Sequence, residues 1–326
     1  MVMQTVREAI RDAMAEEMRA DEKVFLMGEE VADYQGAYKC SAEMVQEFGP
    51  DRVVDTPIAE LGFTGIAVGA AFKGLRPIVE YMTWNFAMLA TDHIINSAAK
   101  TLYMSGGKVS CPIVFRGLNG MAAHVAAQHS QDYASWYMNV PGLKVVAPSN
   151  AADAKGLLKA AIRDNNPVVV LEHEVLYGLS GEVPEGDHVV PIGKAHVARA
   201  GSDVVIFAYS MMVVKALEAA EQLAAQGIEA EVVDLRSLRP LDVAAIVSSV
   251  EKCHRAVVLE ENWAAAGVGA EIMAVISDNC WDALDAPVKR MSQLPVPLPY
   301  AANLETLCVP QVEDIVESVS QLVNGG

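Results

Sequence analysis

Several stretches of this chain set residues capable of chemistry beside residues that shape the backbone. In DTPIAELGFTGIAVGAAFKGLRP, residues 55–77, Glu60 precedes a predicted helix with Gly62, Gly65, Gly69, Ala70 and Gly74 along it. A carboxylate at a helix start is stabilised by the free N–H groups of the first turn, so a capping role is the simpler local reading. The glycines suggest more. Each costs a helix about 1 kcal/mol relative to alanine, and together they let another backbone come close, so a tightly packed partner element is expected. In RGLNGMAAHVAAQHSQDYASWY, residues 116–137, a strand ends at Arg116 and a loop carries His129 between Gln128, Ser130 and Gln131. An imidazole titrates near neutrality and suits general acid–base work; a histidine that only hydrogen-bonds its own loop is the alternative. His124 lies five residues earlier, without the i, i+4 partner and carboxylate of a zinc helix.

Two further segments have weaker readings. AAIRDNNP, residues 160–167, ends a helix whose last carbonyls lack internal partners. An Asp/Asn turn could gather them round a hard cation, or simply cap the helix. GVGAE, residues 267–271, begins like a dinucleotide fingerprint, but Ile272 stands where the last glycine is required and no strand runs directly into it. It reads as a helix start.

The elements that must position these residues alternate strand and helix, which predicts mostly parallel sheets covered on both faces. Residues 4–20 have helical periodicity. Val24–Met27 is a short apolar strand ending in Gly28, Glu29 and Glu30. Strands are expected at Pro77–Met82, Pro112–Arg116, Leu143–Ala147 and Pro167–Glu172, and helices at Gly62–Lys73, Phe86–Met104 and Asn150–Asp164. GLSGEVPEGDHVVPI, residues 178–192, breaks the rhythm and reads as linker. Beyond it, strands are expected at Val204–Tyr209, Ala230–Asp234, Ala256–Glu260 and Val288–Met291. Helices are expected at Met212–Gln226, Val243–Lys252, Val268–Cys280 and Val312–Leu322.

Composition narrows the class. Over 326 residues the mean hydropathy is +0.23, apolar for a chain with no charge-free run long enough to span a bilayer, so large cores and subunit interfaces are expected. A net charge of -18 argues against nucleic acid and anionic membranes. The five cysteines form no C-x-x-C pair and suit a reducing compartment. The first residues read as a helix and not as a signal peptide. No P-loop is present, and no G-D-G precedes Asn165 and Asn166, so nothing in the sequence would hold a diphosphate through Mg2+.

With these segments assembled, the chain resembles the β subunits of the pyruvate dehydrogenase component of 2-oxo acid dehydrogenase complexes. The stretches that carry the resemblance include FLMGEEVADYQGAYK, DTPIAELGFTGIAVGAAFKGLRPIVEYMTWNF, INSAAKTLYMSGG, AAQHSQDYASWY, PGLKVVAP and AIRDNNPVVVLE. The resemblance implies an α/β, transketolase-like chain: a pyrimidine-binding domain over 1–180, a linker over 181–195 and a smaller C-terminal domain over 196–326. It implies an α2β2 heterotetramer in which thiamine diphosphate lies between chains, with the α subunit holding Mg2+ and the diphosphate. A dihydrolipoyl acetyltransferase core would receive the acyl group.

By the same resemblance, Glu60 hydrogen-bonds the aminopyrimidine, Phe86 packs against it and Glu29 belongs to an acidic relay. His129 assists acyl transfer to a lipoyl group, and the carbonyls of Ile113, Ala161, Ile162, Asp164 and Asn166 form a potassium site. Leu89, His93 and His124 depart from the family's usual residues, which are glutamine at the first two positions and a small residue at the third. The implied reaction is oxidative decarboxylation of pyruvate with acetylation of lipoyllysine. Branched-chain 2-oxo acids, acetoin cleavage or a non-catalytic interaction subunit are the alternatives. The implied location is the bacterial cytoplasm, or the mitochondrial matrix for a processed form.

Overall fold

The computed structural model describes residues 1–325, which divide into two compact units. Met1–Asn119 and Trp136–Ile192 form the first; Gly120–Ser135 joins the chain from Gly193 onward in the second. The loop that carries His129 therefore belongs to the second unit.

In the first unit six strands lie parallel in the order 144–146, 168–172, 114–118, 76–83, 24–28 and 53–55. The strands Val114–Leu118 and Val168–Glu172 are buried along their whole length, as expected of a sheet covered on both faces. The helices Val6–Ala20 and Ala151–Arg163 pack together, joined by Lys155 and Lys159 to Glu16 and by Arg163 to Glu17. The second unit is a five-stranded sheet in the order 289–293, 256–263, 204–208, 230–234 and 196–199, antiparallel only at its 196–199 edge. Its core is aliphatic, built from Val204, Ile206, Val232 and Val257 with Met212, Ala216, Leu223 and Ile315 from the covering helices.

Three expectations need correction. The first element is a strand, Val2–Thr5; the helix starts only at Val6, because Thr5 accepts the Glu8 N–H and Glu8 reaches back to the Thr5 N–H. Part of the supposed linker is ordered, since Ser180–Val183 pairs antiparallel with that first strand. Phe86–Met104 is not one helix. Thr83 caps a short helix, Trp84–Ala87, and the path then passes through a 3-10 turn at Met88–Ala90, a π-helical stretch at His93–Ala98 and a last α turn at Ala99–Met104. Among the described residues, no helix is long and apolar enough to cross a membrane.

Candidate active site

The residues expected to meet the pyrimidine follow the carboxyl ends of three adjacent parallel strands, where open α/β sheets bind ligands. Glu29 follows Gly28, Glu60 comes five residues after Asp55, and Phe86 comes three residues after Thr83. Gly28 is required by the sheet: a Cβ there would stand 2.5 Å from the carbonyl oxygen of Glu80 on the neighbouring strand. The turn after it is held from two sides. The Asp55 carboxylate accepts the Ala32 and Asp33 N–H groups at 2.7 and 3.1 Å, and Ser41 donates to the Val31 carbonyl at 2.7 Å. Glu30 takes the left-handed conformation, φ 61°, which lets its carbonyl accept the Gly36 N–H.

Glu60 is the first residue of the helix Glu60–Phe72 and is 3% exposed. The position before it is Ala59, whose side chain cannot cap, and Glu60 is the acidic residue of the first turn. The Glu60 carboxyl also lies within hydrogen-bonding reach of Glu29. Burial, then the charge and hydrogen bond of Glu60, push Glu29 up to about 7. Two carboxylates this close repel, which favours a proton held on Glu29. No cationic side chain among the described residues pairs with either. Two polar atoms nearby have no partner: Glu29 Oε1 and Thr56 Oγ1 are buried and unbonded, and the Thr56 N–H donates to the Gly28 carbonyl. Beneath the helix, the Tyr81 hydroxyl meets Thr64 Oγ1 at 2.8 Å. Burial, with a contribution from Glu60, keeps that phenol neutral. Phe86 is half-buried in the short helix Trp84–Ala87.

An aminopyrimidine fits this donor set. A shared carboxyl proton can be given to, or taken from, a ring nitrogen, and the orphaned oxygens supply acceptors for an amino group. Along the glycine-lined helix, Gly65 is required within the chain itself. A Cβ there would stand 2.8 Å from the His93 imidazole. Ile58, just before this helix, and Ile66 within it are 84% and 68% exposed.

A second buried cluster in this unit was not foreseen. Arg116 is ion-paired with both Glu80 and Glu172, its Nε–H donating to Glu172 at 2.7 Å, and the Tyr177 hydroxyl also donates to Glu172. A signal was available: Glu80 and Glu172 interrupt otherwise apolar strands, and buried charges are seldom left unpaired.

In the second unit, His129 lies half-buried in the Gly120–Ser135 loop, its N–H bonded to the Ala126 carbonyl at 3.2 Å. His124, one of the departures, pairs with buried Glu305. Glu260 is buried against Arg290 and the Gly269 N–H, and burial outweighs both to raise it to about 7. Gly267 caps the helix Val268–Cys280, so GVGAE is the helix start that its sequence suggests.

The expected cation residues sit together at the end of the helix Ala151–Arg163. Asp164 closes that helix with its N–H on the Ala161 carbonyl, and its carboxylate accepts the Asn166 N–H at 2.8 Å. Four of the five carbonyls already accept a hydrogen bond. Arg76 donates to Ile162 and Asp164 at 3.0 and 2.8 Å, Asp164 to Ala161, and Val168 to Ile113. A carbonyl keeps a second lone pair, so a cation could still be bound, but the Arg76 guanidinium already supplies positive charge there. No group of three or more His, Cys, Asp or Glu side chains among the described residues could hold a metal ion.

Comparison with known proteins fits this geometry. The transketolase pyrimidine-binding domain model matches residues 2–180 and the transketolase C-terminal domain model matches 193–315. A protein of Rhizobium meliloti named pyruvate dehydrogenase E1 component subunit beta is 59% identical over 98% of this chain and 70% of its own length. One of that name from Rickettsia conorii is 58% identical, covering 98% of both chains. A rice relative, named as the mitochondrial beta-2 subunit, is 59% identical over 97% of this chain and 85% of its own. A solved structure described as "Split gene transketolase, inactive beta4 tetramer" superposes with a TM-score of 0.80 at 26% identity, covering 98% of each chain. With two transketolase domain matches and relatives close to 60% identical along nearly its whole length, the chain belongs to the family of pyruvate dehydrogenase E1 component β subunits.

Proposed function

We propose that this chain is the pyrimidine-side half of a thiamine-diphosphate-dependent pyruvate dehydrogenase, active only with an α subunit in an α2β2 assembly. The observation that carries this reading is the buried pair of carboxyls, Glu29 and Glu60, with Glu29 raised by burial and by Glu60 and no cation paired with either among the described residues. When bound, thiamine diphosphate would supply the carbanion equivalent for addition to the 2-oxo group of the substrate. The chain's own part is proton management at the pyrimidine. Glu60 exchanges a carboxyl proton with a ring nitrogen, Glu29 holds or returns that proton, and Phe86 packs against the ring. His129 serves the transfer of the acetyl group to a lipoyl arm of the acyltransferase core. Mg2+ and the diphosphate are left to the α chain, because this sequence has no motif for them.

The exposed apolar residues Ile58, Leu61 and Ile66, in and just before the helix that Glu60 begins, support a partner chain here, since large apolar side chains grouped on one exposed segment are usually covered. The split-gene transketolase, described as an inactive tetramer of β chains, is consistent with a chain that lacks activity alone. K+ at the Ile113, Ala161, Ile162, Asp164 and Asn166 carbonyls is part of the proposal, as is a cytoplasmic location of the bacterial type.

Reconstitution tests the reading. The chain purified alone is expected to bind no thiamine diphosphate and to turn over no pyruvate, and addition of an α chain is expected to restore both. Full activity of the isolated chain would refute the half-site. A kcat/KM for 3-methyl-2-oxobutanoate above that for pyruvate would move the substrate to the branched-chain class.

A further inference from the structure

The loop that carries His129 is held by the second unit at its beginning, its crown and its end. At its beginning, Glu261 accepts the Met121 N–H. The approach depends on Gly120, which has φ +82° and would place a Cβ 2.8 Å from the same Glu261 oxygen. The Gly120 N–H donates to the Gln131 carbonyl at 2.9 Å, which closes the loop on itself two residues after His129. At its end, buried Asp132 accepts the Tyr209 hydroxyl at 2.6 Å and the Ala134 N–H at 2.7 Å, and the Asn262 amide donates to Ser135 at 3.2 Å. In the crown, His124 meets Glu305. Tyr209 follows the strand Val204–Ala208, while Glu261 and Asn262 lie in the adjacent parallel strand Ala256–Trp263.

We propose that Glu261, Asp132 and Tyr209 are positioning residues that fix His129 for acyl transfer, so that the C-terminal domain sets the second half of the reaction as well as the fold. This rests on the reading of His129 given above. A loop of small residues with His124 and Ala126 in the left-handed conformation, φ 59° and 67°, has no regular element to hold an imidazole in place. The buried hydrogen bonds at its two ends supply that rigidity, and they are strong where water is excluded. Tyr209 is suited to the task. Burial and the carboxylates of Asp132 and Glu260 hold its phenol neutral, so it remains a donor throughout the working pH range.

The test uses the reconstituted α2β2 enzyme and compares two rates: acetylation of a free lipoyl domain, and decarboxylation of pyruvate with ferricyanide as electron acceptor, which bypasses the lipoyl step. Tyr209→Phe is expected to lower lipoyl acetylation by roughly tenfold while ferricyanide-linked decarboxylation stays within about twofold. Glu261→Ala is expected to act likewise, and Glu261→Gln, which keeps the acceptor oxygen, to restore the rate. In a His129→Ala background Tyr209→Phe is expected to add nothing, because it acts through the residue already removed. Equal loss of both rates in Tyr209→Phe, or additivity with His129→Ala, would overturn the positioning role. If His129→Ala abolishes acetylation while Tyr209→Phe is silent, the positioning role fails alone. If His129→Ala leaves acetylation unchanged, the reading of His129 fails and the inference with it.

Discussion

Two buried acidic clusters belong to the same parallel sheet, one within its strands and one just past their carboxyl ends, and they are built oppositely. Glu80 and Glu172 share the Arg116 guanidinium, so charge is balanced by a cation with fixed, bidentate geometry. Glu29 and Glu60 have no cation paired with them among the described residues, and each other's charge favours a proton on Glu29. Both clusters are buried, so burial alone does not mark function. A cation-balanced cluster has nothing left to exchange. A proton-balanced one is poised to give its proton up, because the counter-ion is itself mobile. The two are close in the sheet, since Gly28, just before Glu29, is in register with Glu80.

The sharpest way to break this comparison is to remove the proton partner. Glu60→Gln in the reconstituted enzyme is expected to leave assembly intact and lower kcat by about 10²–10⁴, the range for loss of a general acid–base group. Turnover near wild type would make the pair structural, like its neighbour.

The converse change is expected to strike stability and not chemistry alone. Arg116→Met leaves two buried carboxyls without their cation, a loss of about 3–5 kcal/mol. It should appear as a lowered denaturant midpoint or as loss of soluble protein. If the midpoint were unchanged, Glu80 and Glu172 would not depend on the guanidinium.

The proton-sharing cluster also has a pH signature. The pKa of Glu29 is raised in the folded chain, to about 7, above the value of 4.5 for a free glutamate. Between those two values the folded state binds a proton that the unfolded state lacks, so stability falls as pH rises through the window and levels off above it. Glu29→Gln removes this contribution. Its unfolding midpoint is expected to fall less than that of the wild type between pH 5 and pH 8; equal slopes would mean that Glu29 does not share the proton. Glu260, raised to about 7 in the other unit, remains in both proteins and cancels from the difference.

The smallest expected effect concerns the carbonyl turn. Exchange of Na+ for K+ is expected to lower the unfolding midpoint by a few degrees, because Arg76 already meets part of that site's need for positive charge. No difference between the two ions would return the turn to the role of a helix C-cap.

How far the sequence discloses this depends on the kind of signal. Strands such as Ala230–Asp234 and helices such as Val268–Cys280 are legible because an apolar run or a 3.6-residue period states where the core lies. The edge strands Val2–Thr5, Ser180–Val183 and His196–Arg199 carry no such run and are stabilised by pairing with a distant or flanking segment, which local pattern does not contain. Glu60 and Glu29 are visible as carboxylates after strand ends, but their contact spans two loops and only the fold supplies it. The break in Phe86–Met104 was hidden because every residue there is compatible with a helix. The proposed roles of Tyr209 and Glu261 carry no local signal, because both residues stand at or just past the ends of runs that read as plain core strands.

The most direct test of the proton-sharing pair is deuterium exchange at the thiazolium C2 position of thiamine diphosphate bound to the reconstituted enzyme, compared between wild type, Glu60→Gln and His129→Ala. The expected result is a slowing of about 100-fold or more in Glu60→Gln, with His129→Ala close to wild type. Exchange at the wild-type rate in Glu60→Gln would contradict the assignment of the Glu29–Glu60 pair as the proton partner of the pyrimidine.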